Sequence, residues 1–319
     1  MLFYPLLFEP IFKERIWGGT KLKKVLNKSF ESNQIGESWE LSTVENDISV
    51  VANGAFKGLN LNQLIEKYPT ELLGAASINN FGHNFPLLFK FLDAKEDLSI
   101  QVHPNDALAK ERHKSFGKTE MWYVMQADDN ARLVVGFKDK TNKKEYQDHL
   151  ENKTLVTILN ETPVKEGDAF FLETGTVHAI GAGVLIAEIQ QTSDITYRLH
   201  DWDRVDAKGV SRELHTDLAL DAINFETTNT KLNYEATKNR SVTLVECPFF
   251  KTNILQISEK YNWKKTKESF TVFMCTEGGF TINMLHFQAE FKKGDTLLIP
   301  AILEGFEIIG EACLLEITI

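Results

Sequence analysis

The chain has 319 residues, 43% of them hydrophobic and 25% charged, the composition of a folded protein with a sizeable core and room for two domains. Its formal net charge of −10 argues against broad nucleic-acid binding, which depends on neutralising phosphates, but leaves room for a phosphorylated ligand held by a few local cations. No apolar run approaches the length of a bilayer, and the N-terminal stretch, interrupted by Pro5 and without a basic leader, reads as mature chain, so a cytoplasmic protein with no membrane partner is expected.

In chain order, helical patterns are expected at about 61–67, 105–114, 143–150 and 212–222. Short β-type runs are expected at 87–92, 98–103, 121–125, 132–137, 169–172 and 184–190. Asn105 or Asp106 is placed to cap the helix after Pro104. The polar stretch 227–240 reads as a linker, and a second β-rich stretch begins near Val242. That stretch echoes the first. Val164-Lys-Glu-Gly-Asp-Ala-Phe-Phe-Leu172 returns as Phe291-Lys-Lys-Gly-Asp-Thr-Leu-Leu-Ile299, and Trp122-Tyr-Val-Met125 returns as Thr271-Val-Phe-Met274. Duplication of one unit accounts for both echoes. On this alignment Glu120 falls opposite Ser269, and His178 opposite Gly305 or Phe306, so the second copy keeps strands and turns but loses the polar groups.

The run Leu98-Ser-Ile-Gln-Val-His-Pro104 carries the first chemical signal. As a strand it sends Leu98, Ile100 and Val102 to a core, and Ser99, Gln101 and His103 together to the opposite face. Glu120 opens a strand-like run, with Lys118 two residues earlier on the same alternation, and His178 closes a stretch in which glycines bracket a strand and a tight turn. Two imidazoles, a carboxylate and an amide oxygen outline a metal site, although a lone histidine on a strand face is more often a hydrogen-bonded structural residue. Such donors suit zinc, and two histidines with one carboxylate also suit ferrous iron. Cys247, Cys275 and Cys313 are odd in number and far apart, so they read as free thiols, leaving nitrogen and oxygen to hold any metal. His113, His149, His200, His215 and His286 lie outside these motifs and are read as non-ligands. Lys90 interrupts the apolar run Pro86-Leu-Leu-Phe-Lys-Phe-Leu92, where an unpaired ammonium is costly, so a buried partner, a phosphate included, is expected. Glu188, on one strand face with Ile186 and Gln190, is left outside the site.

The stretch from Gly167 through Gly175 to His178 resembles the second half-motif of cupins, with Glu173 where that motif has proline and Ala182 where asparagine is frequent. Further pieces occur in order: Ile16-Trp-Gly-Gly19, Ile35-Gly-Glu-Ser-Trp-Glu40, Pro86-Leu-Leu-Phe-Lys90, Gln101-Val-His-Pro104, Gly117-Lys-Thr-Glu120, Gly175-Thr-Val-His-Ala-Ile180 and Gln190-Gln-Thr-Ser-Asp-Ile-Thr-Tyr-Arg198. Together they make the chain resemble the type I mannose-6-phosphate isomerases in their short bacterial form.

The resemblance implies a mainly β fold with a few helices, built as two cupin-like double-stranded β-helix (jelly-roll) barrels, the second degenerate. Residues 1–226 would form the catalytic domain, 227–240 a linker and 241–319 the C-terminal domain. It implies one zinc ion per chain on Gln101, His103, Glu120 and His178, and a phosphorylated hexose as substrate. The implied reaction interconverts mannose 6-phosphate and fructose 6-phosphate through an enediolate. Arg198 is implied as an active-site residue, with Lys118 and Asp194 as candidates for proton transfer and Lys90 and Arg198 as cations for the phosphate. Trp17-Gly-Gly19 and Glu37-Ser-Trp39 read more simply as turn and core packing. Two other readings stay open on the residues, a non-catalytic sugar-phosphate-binding cupin and an iron-dependent cupin oxygenase. Retention of Lys118, Asp194 and Arg198 favours catalysis over mere binding.

Overall fold

Sheets covered on both faces draw on strands that are apolar almost throughout, and the central strands of this chain are of that kind. All eight residues of Leu87–Ala94 and all eight of Val184–Gln191 are buried. In the computed structural model, which describes residues 2–205 and 208–319, these strands belong to a seven-stranded antiparallel sheet. Its order is Lys231–Leu232, Ala169–Leu172, Glu120–Ala127, Val184–Gln191, Leu87–Ala94, Ile11–Gly19 and Ile35–Leu41. A five-stranded sheet faces it, in the order Tyr197–His200, Ile100–Val102, His178–Ile180, Arg132–Phe137 and Leu159–Pro163.

Alternation along each strand divides the side chains between two cores. Trp122 and Val124 point into the barrel with Leu92, Val135, Phe170, Leu172, Ile180 and Ile186. Met121, Tyr123 and Met125 point the other way, with Leu87, Phe89, Phe91, Ala187 and Ile189. There they meet Ile254, Val272, Met274, Leu298, Leu315 and Ile317 of the C-terminal half. One sheet face therefore lines the barrel interior, and its other face rests on the second β unit.

The second unit is a seven-stranded sheet built on three 14-residue strands, Lys251–Lys264, Thr271–Met284 and Gly305–Thr318. The fold is thus mainly β, as expected, with a second barrel-like unit that repeats the first. The repeat extends to individual bonds. Asp168 and Asp295 each accept a hydrogen bond from the backbone N–H three residues earlier, Lys165 at 3.0 Å and Lys292 at 2.9 Å. Gly167 and Gly294 occupy the same turn position, with φ of 87° and 92°. The sheet register moves the alignment by two residues. Ala169 pairs with Tyr123 and Thr296 pairs with Met274, so Glu120 corresponds to Thr271 rather than Ser269. A shift of two keeps the strand face, and the carboxylate is still absent from the second copy.

Helices form at Leu61–Lys67, Asp106–His113 and Lys143–Glu151, close to expectation. Asn105, not Asp106, caps the second of these by accepting from the Leu108 N–H at 2.9 Å, while Asp106 accepts from the Gly117 N–H at 2.7 Å. The helix expected at 212–222 shrinks to Thr216–Ala219, because residues 213–215 are taken up by contacts with the edge strand at Arg198. No helix among the described residues is long and apolar enough to cross a membrane.

The two glycine turns differ in their surroundings, and that difference can be tested. A Cβ on Gly294 would lie 2.8 Å from the Leu26 Cβ and 3.0 Å from its carbonyl oxygen, whereas the nearest atom to one on Gly167 is 3.7 Å away. Both substitutions place alanine at positive φ, at a cost of about 1–3 kcal/mol. Gly294→Ala is expected to lower the melting temperature clearly more than Gly167→Ala; equal losses would show that the Leu26 contact is unimportant.

Candidate active site

The site forms where the inner faces of the two opposed sheets meet. On the five-stranded sheet His178 faces Gln101 across one strand pair, and Gln101 faces Arg198 across the next, a row over three adjacent strands. On the seven-stranded sheet Gln190 faces Glu120, and Glu188 lies between Lys90 and Trp122. His103 follows the strand Ile100–Val102 directly, and its carbonyl accepts from the Gly175 N–H at 3.0 Å. That bond ties it to the turn before His178. A Cβ on Gly175 would sit 2.7 Å from the Ala222 carbonyl oxygen, which explains the glycine. Glu173, in place of the usual proline, is exposed, and its carbonyl closes the same turn by accepting from the Thr176 N–H at 3.1 Å.

His103, Glu120 and His178 are all buried, and one donor atom from each lies within 4.8 Å of the others, the one such grouping among the described residues. His103 Nε2 is 3.4 Å from Glu120 Oε1, and His178 Nε2 is 3.6 Å from Oε2. Each ring is oriented by its other nitrogen. His103 Nδ1 lies 2.8 Å from the Ile195 carbonyl, and His178 Nδ1 lies 2.8 Å from that of Thr176. A carbonyl only accepts, so both Nδ1 atoms carry the proton and both Nε2 lone pairs face Glu120. The Gln101 side-chain amide is 3.2 Å from His178 Nε2, and rotation about its last bond turns Oε1 to the same point.

Electrostatics keep this group in the form a cation would use. Burial, reinforced by the Lys118 ammonium, pushes the His103 imidazole down to about 3. Burial also lowers His178, so both rings are neutral near pH 7. For Glu120 burial favours the acid, but the Lys118 ammonium outweighs it and holds the carboxyl well below the usual range. Burial alone would lower Lys118; Glu120 and Glu188 reverse that and raise it, so it stays an ammonium. Its Nζ is 2.9 Å from Glu120 Oε1, yet neither carboxylate oxygen has a well-directed hydrogen bond despite complete burial. A buried carboxylate left so, facing two imidazole lone pairs and an amide, fits a divalent cation with nitrogen and oxygen donors.

Above these groups opens a cleft of about 540 Å³, lined in part by Gln101, Lys118, Asp194 and Arg198. Lys90 also lines it and does have buried partners, though from the protein itself: Gln190 Oε1 at 2.7 Å and Glu188 Oε1 at 3.2 Å. The Lys90 ammonium also lies 5.0 Å from the Trp39 ring centroid. Arg198 Nε is buried without a partner, and Asp194 is exposed at the cleft.

Several cleft residues escaped the sequence reading. Glu188 accepts from Trp122 Nε1 at 3.1 Å, and burial raises its carboxyl despite Lys90 beside it. Glu37 accepts from Trp39 Nε1 at 2.6 Å and from Arg15 Nε at 2.7 Å. Trp17, Glu37 and Trp39 line the cleft, so their role is not core packing alone, and Arg15 and Arg212 add cations to it. The missed signal was alternation: Glu37 and Trp39 share a face, and Trp39 pairs with Lys90.

Removal of protons from His103 and His178 on folding has a consequence for stability. The unfolded chain binds these protons near the ordinary histidine value of about 6.5, so it holds more protons than the folded state below that pH. Metal-free protein is expected to lose stability as pH falls below about 6.5, by up to about 1.4 kcal/mol per pH unit per histidine, with the His103 part extending down to about 3. Denaturant titrations between pH 7 and 5 check this, and His103→Gln is expected to flatten the dependence. An unchanged slope would contradict the neutral buried imidazole.

A family model described as phosphomannose isomerase type I, catalytic domain, matches residues 6–156, and one described as mannose-6-phosphate isomerase, cupin domain, matches residues 240–319. The chain is 38% identical over 312 residues to a mannose-6-phosphate isomerase of Bacillus subtilis, covering 97% of this chain and 96% of the relative. It is 36% identical over 310 residues to a mannose-6-phosphate isomerase of Streptococcus mutans, covering 96% of each. The crystal structure of a mannose 6-phosphate isomerase from Bacillus subtilis superposes with a TM-score of 0.91 at 34% identity, covering 99% of both chains.

Proposed function

The chain belongs to the type I phosphomannose isomerase family, and on that premise we propose that it interconverts mannose 6-phosphate and fructose 6-phosphate with one zinc ion per chain. The observation that carries the metal is the convergence of His103, Glu120 and His178, with Gln101 beside them, below a cleft rich in cations. These four side chains would hold the ion. Bound there, zinc would act as a Lewis acid on a sugar oxygen.

The remaining chemistry falls to the chain's own groups. Isomerisation moves a proton between carbons one and two of the open-chain sugar and places negative charge on oxygen in the enediolate. Lys118 and Arg198 offer fixed cations to that charge, which stabilise it more than the neutral sugar and so lower the barrier. Asp194 supplies a carboxylate to accept the moving proton, and Lys118, kept protonated by Glu120, supplies an acid. Arg198 presents a planar donor pair for the phosphate, and Lys90 a second cation of the substrate cleft. We assign residues 1–226 to the catalytic domain, 227–240 to the connection and 241–319 to a unit without metal ligands. We place the enzyme in the cytoplasm, with a small phosphorylated sugar as its partner and neither nucleic acid nor membrane; its net charge of −10 disfavours nucleic acid, and the sugar phosphate is met by the local cations of the cleft. The sensing and oxygenase alternatives are set aside because the chain belongs to an isomerase family and brings Lys118, Asp194 and Arg198 to one cleft.

Chelator-stripped protein is expected to lose fructose 6-phosphate formation and to regain it with zinc; undiminished turnover without metal would refute the role of the ion. His178→Ala is expected to lose metal and turnover together, with at least a hundredfold fall in kcat. Arg198→Ala is expected to keep the metal and the melting temperature while losing turnover, and a collapse of stability would make Arg198 structural instead.

A further inference from the structure

Arg198 sits on Tyr197–His200, the edge strand of the five-stranded sheet, where one side of the backbone has no neighbouring strand. Edge amides and carbonyls need another partner when water is kept away. At Arg198 both are taken up by one residue. The Arg198 N–H donates to the Nδ1 of His215 at 3.1 Å, and the His215 N–H donates to the Arg198 carbonyl at 2.7 Å. Two residues earlier, the Glu213 carbonyl accepts from Arg198 Nη1 at 2.7 Å. Because both backbone groups of Arg198 turn outward to His215, Arg198 and Gln101 face each other as the closely spaced, non-hydrogen-bonded kind of cross-strand pair. Arg198 therefore stands directly opposite Gln101, and both residues line the cleft.

We propose that His215 is a positioning residue for the isomerase reaction, acting through an unprotonated Nδ1 that stands in for the missing strand's carbonyl and fixes Arg198 over the cleft. It rests on the reading that Arg198 acts on the sugar phosphate. His215 does not itself line the cleft. Its contribution is geometric: an arginine free to leave its place costs little in folding and much in transition-state contact. The acceptor is what matters, since a side chain that fills space without accepting leaves the Arg198 N–H unpaired. Asparagine, whose Oδ1 reaches about as far as a histidine Nδ1, replaces that acceptor; alanine and leucine do not.

Steady-state kinetics with mannose 6-phosphate, zinc content and melting temperature are to be measured for His215→Ala, His215→Leu, His215→Asn and Arg198→Ala, each as the full zinc-loaded chain. His215→Ala and His215→Leu are expected to lower kcat/KM at least tenfold with one zinc retained, and His215→Asn to stay within about threefold of the parent. If Ala or Leu matches the parent while Arg198→Ala is inactive, the positioning role is refuted and the role of Arg198 stands. If Asn is as impaired as Ala, the acceptor argument fails. If Arg198→Ala itself keeps full turnover, the reading beneath the proposal fails first.

Discussion

The ionised carboxyl of Glu120, fully buried between two imidazoles, is the constraint on which the rest of the molecule depends. A carboxylate in that position protonates or destabilises the fold unless opposite charge is fixed beside it. Lys118 supplies one such charge. The same balance spreads across the cleft floor, where the carboxylates Glu37, Glu120 and Glu188 and the ammonium groups of Lys90 and Lys118 are all buried. Arg15 offsets the Glu37 side only, and burial shifts the Glu188 carboxyl towards its neutral form, so the unmet demand falls on Glu120, whose two oxygens lack a directed hydrogen bond. Next to Glu120, a divalent cation is the natural remedy. The architecture reads as a means of holding this charge set dry, oriented and open to one small ligand.

Orientation comes from sheet register and the hydrogen bonds around it. His178, Gln101 and Arg198 stand side by side because three short strands pair there, and the opposed sheet brings Glu120, Lys90 and Glu188 to the same space. The back of that second sheet is not left to water. Met121, Tyr123 and Met125 alternate with Glu120, Trp122 and Val124, and they pack on apolar residues of the C-terminal unit. The repeat that lacks the two histidines and the carboxylate therefore still serves the site, by covering the sheet from which Glu120 and Glu188 project. Its matching turns at Asp168 and Asp295 show how closely one unit has been reused for support.

Much of this was legible in the chain. Period-two alternation placed Gln101 with His103 and Lys118 with Glu120, and the apolar run around Lys90 showed that its ammonium needed a partner. The partner itself was not legible, because Glu188 meets Lys90 across two paired strands about a hundred residues apart in sequence, and one strand cannot reveal its neighbour. The helix expected over 212–222 failed for a similar reason. Its first residues satisfy a sheet edge, and tertiary hydrogen bonds outweigh local helical preference. The two-residue slip in the internal alignment came from matching side chains rather than strand pairings, which repeat more faithfully than residue identity. Trp17, Glu37 and Trp39 looked like packing because aromatic and small residues serve cores and sugar clefts alike.

The proposed function seats a single catalytic zinc ion in the buried group of two imidazoles, one carboxylate and one amide. Anomalous scattering from crystals of the zinc-loaded protein, recorded on both sides of the zinc absorption edge, would locate that ion. One peak per chain among Gln101, His103, Glu120 and His178 is the predicted result. A fully zinc-dependent enzyme whose peak lies elsewhere, or whose four side chains remain empty, would overturn that assignment.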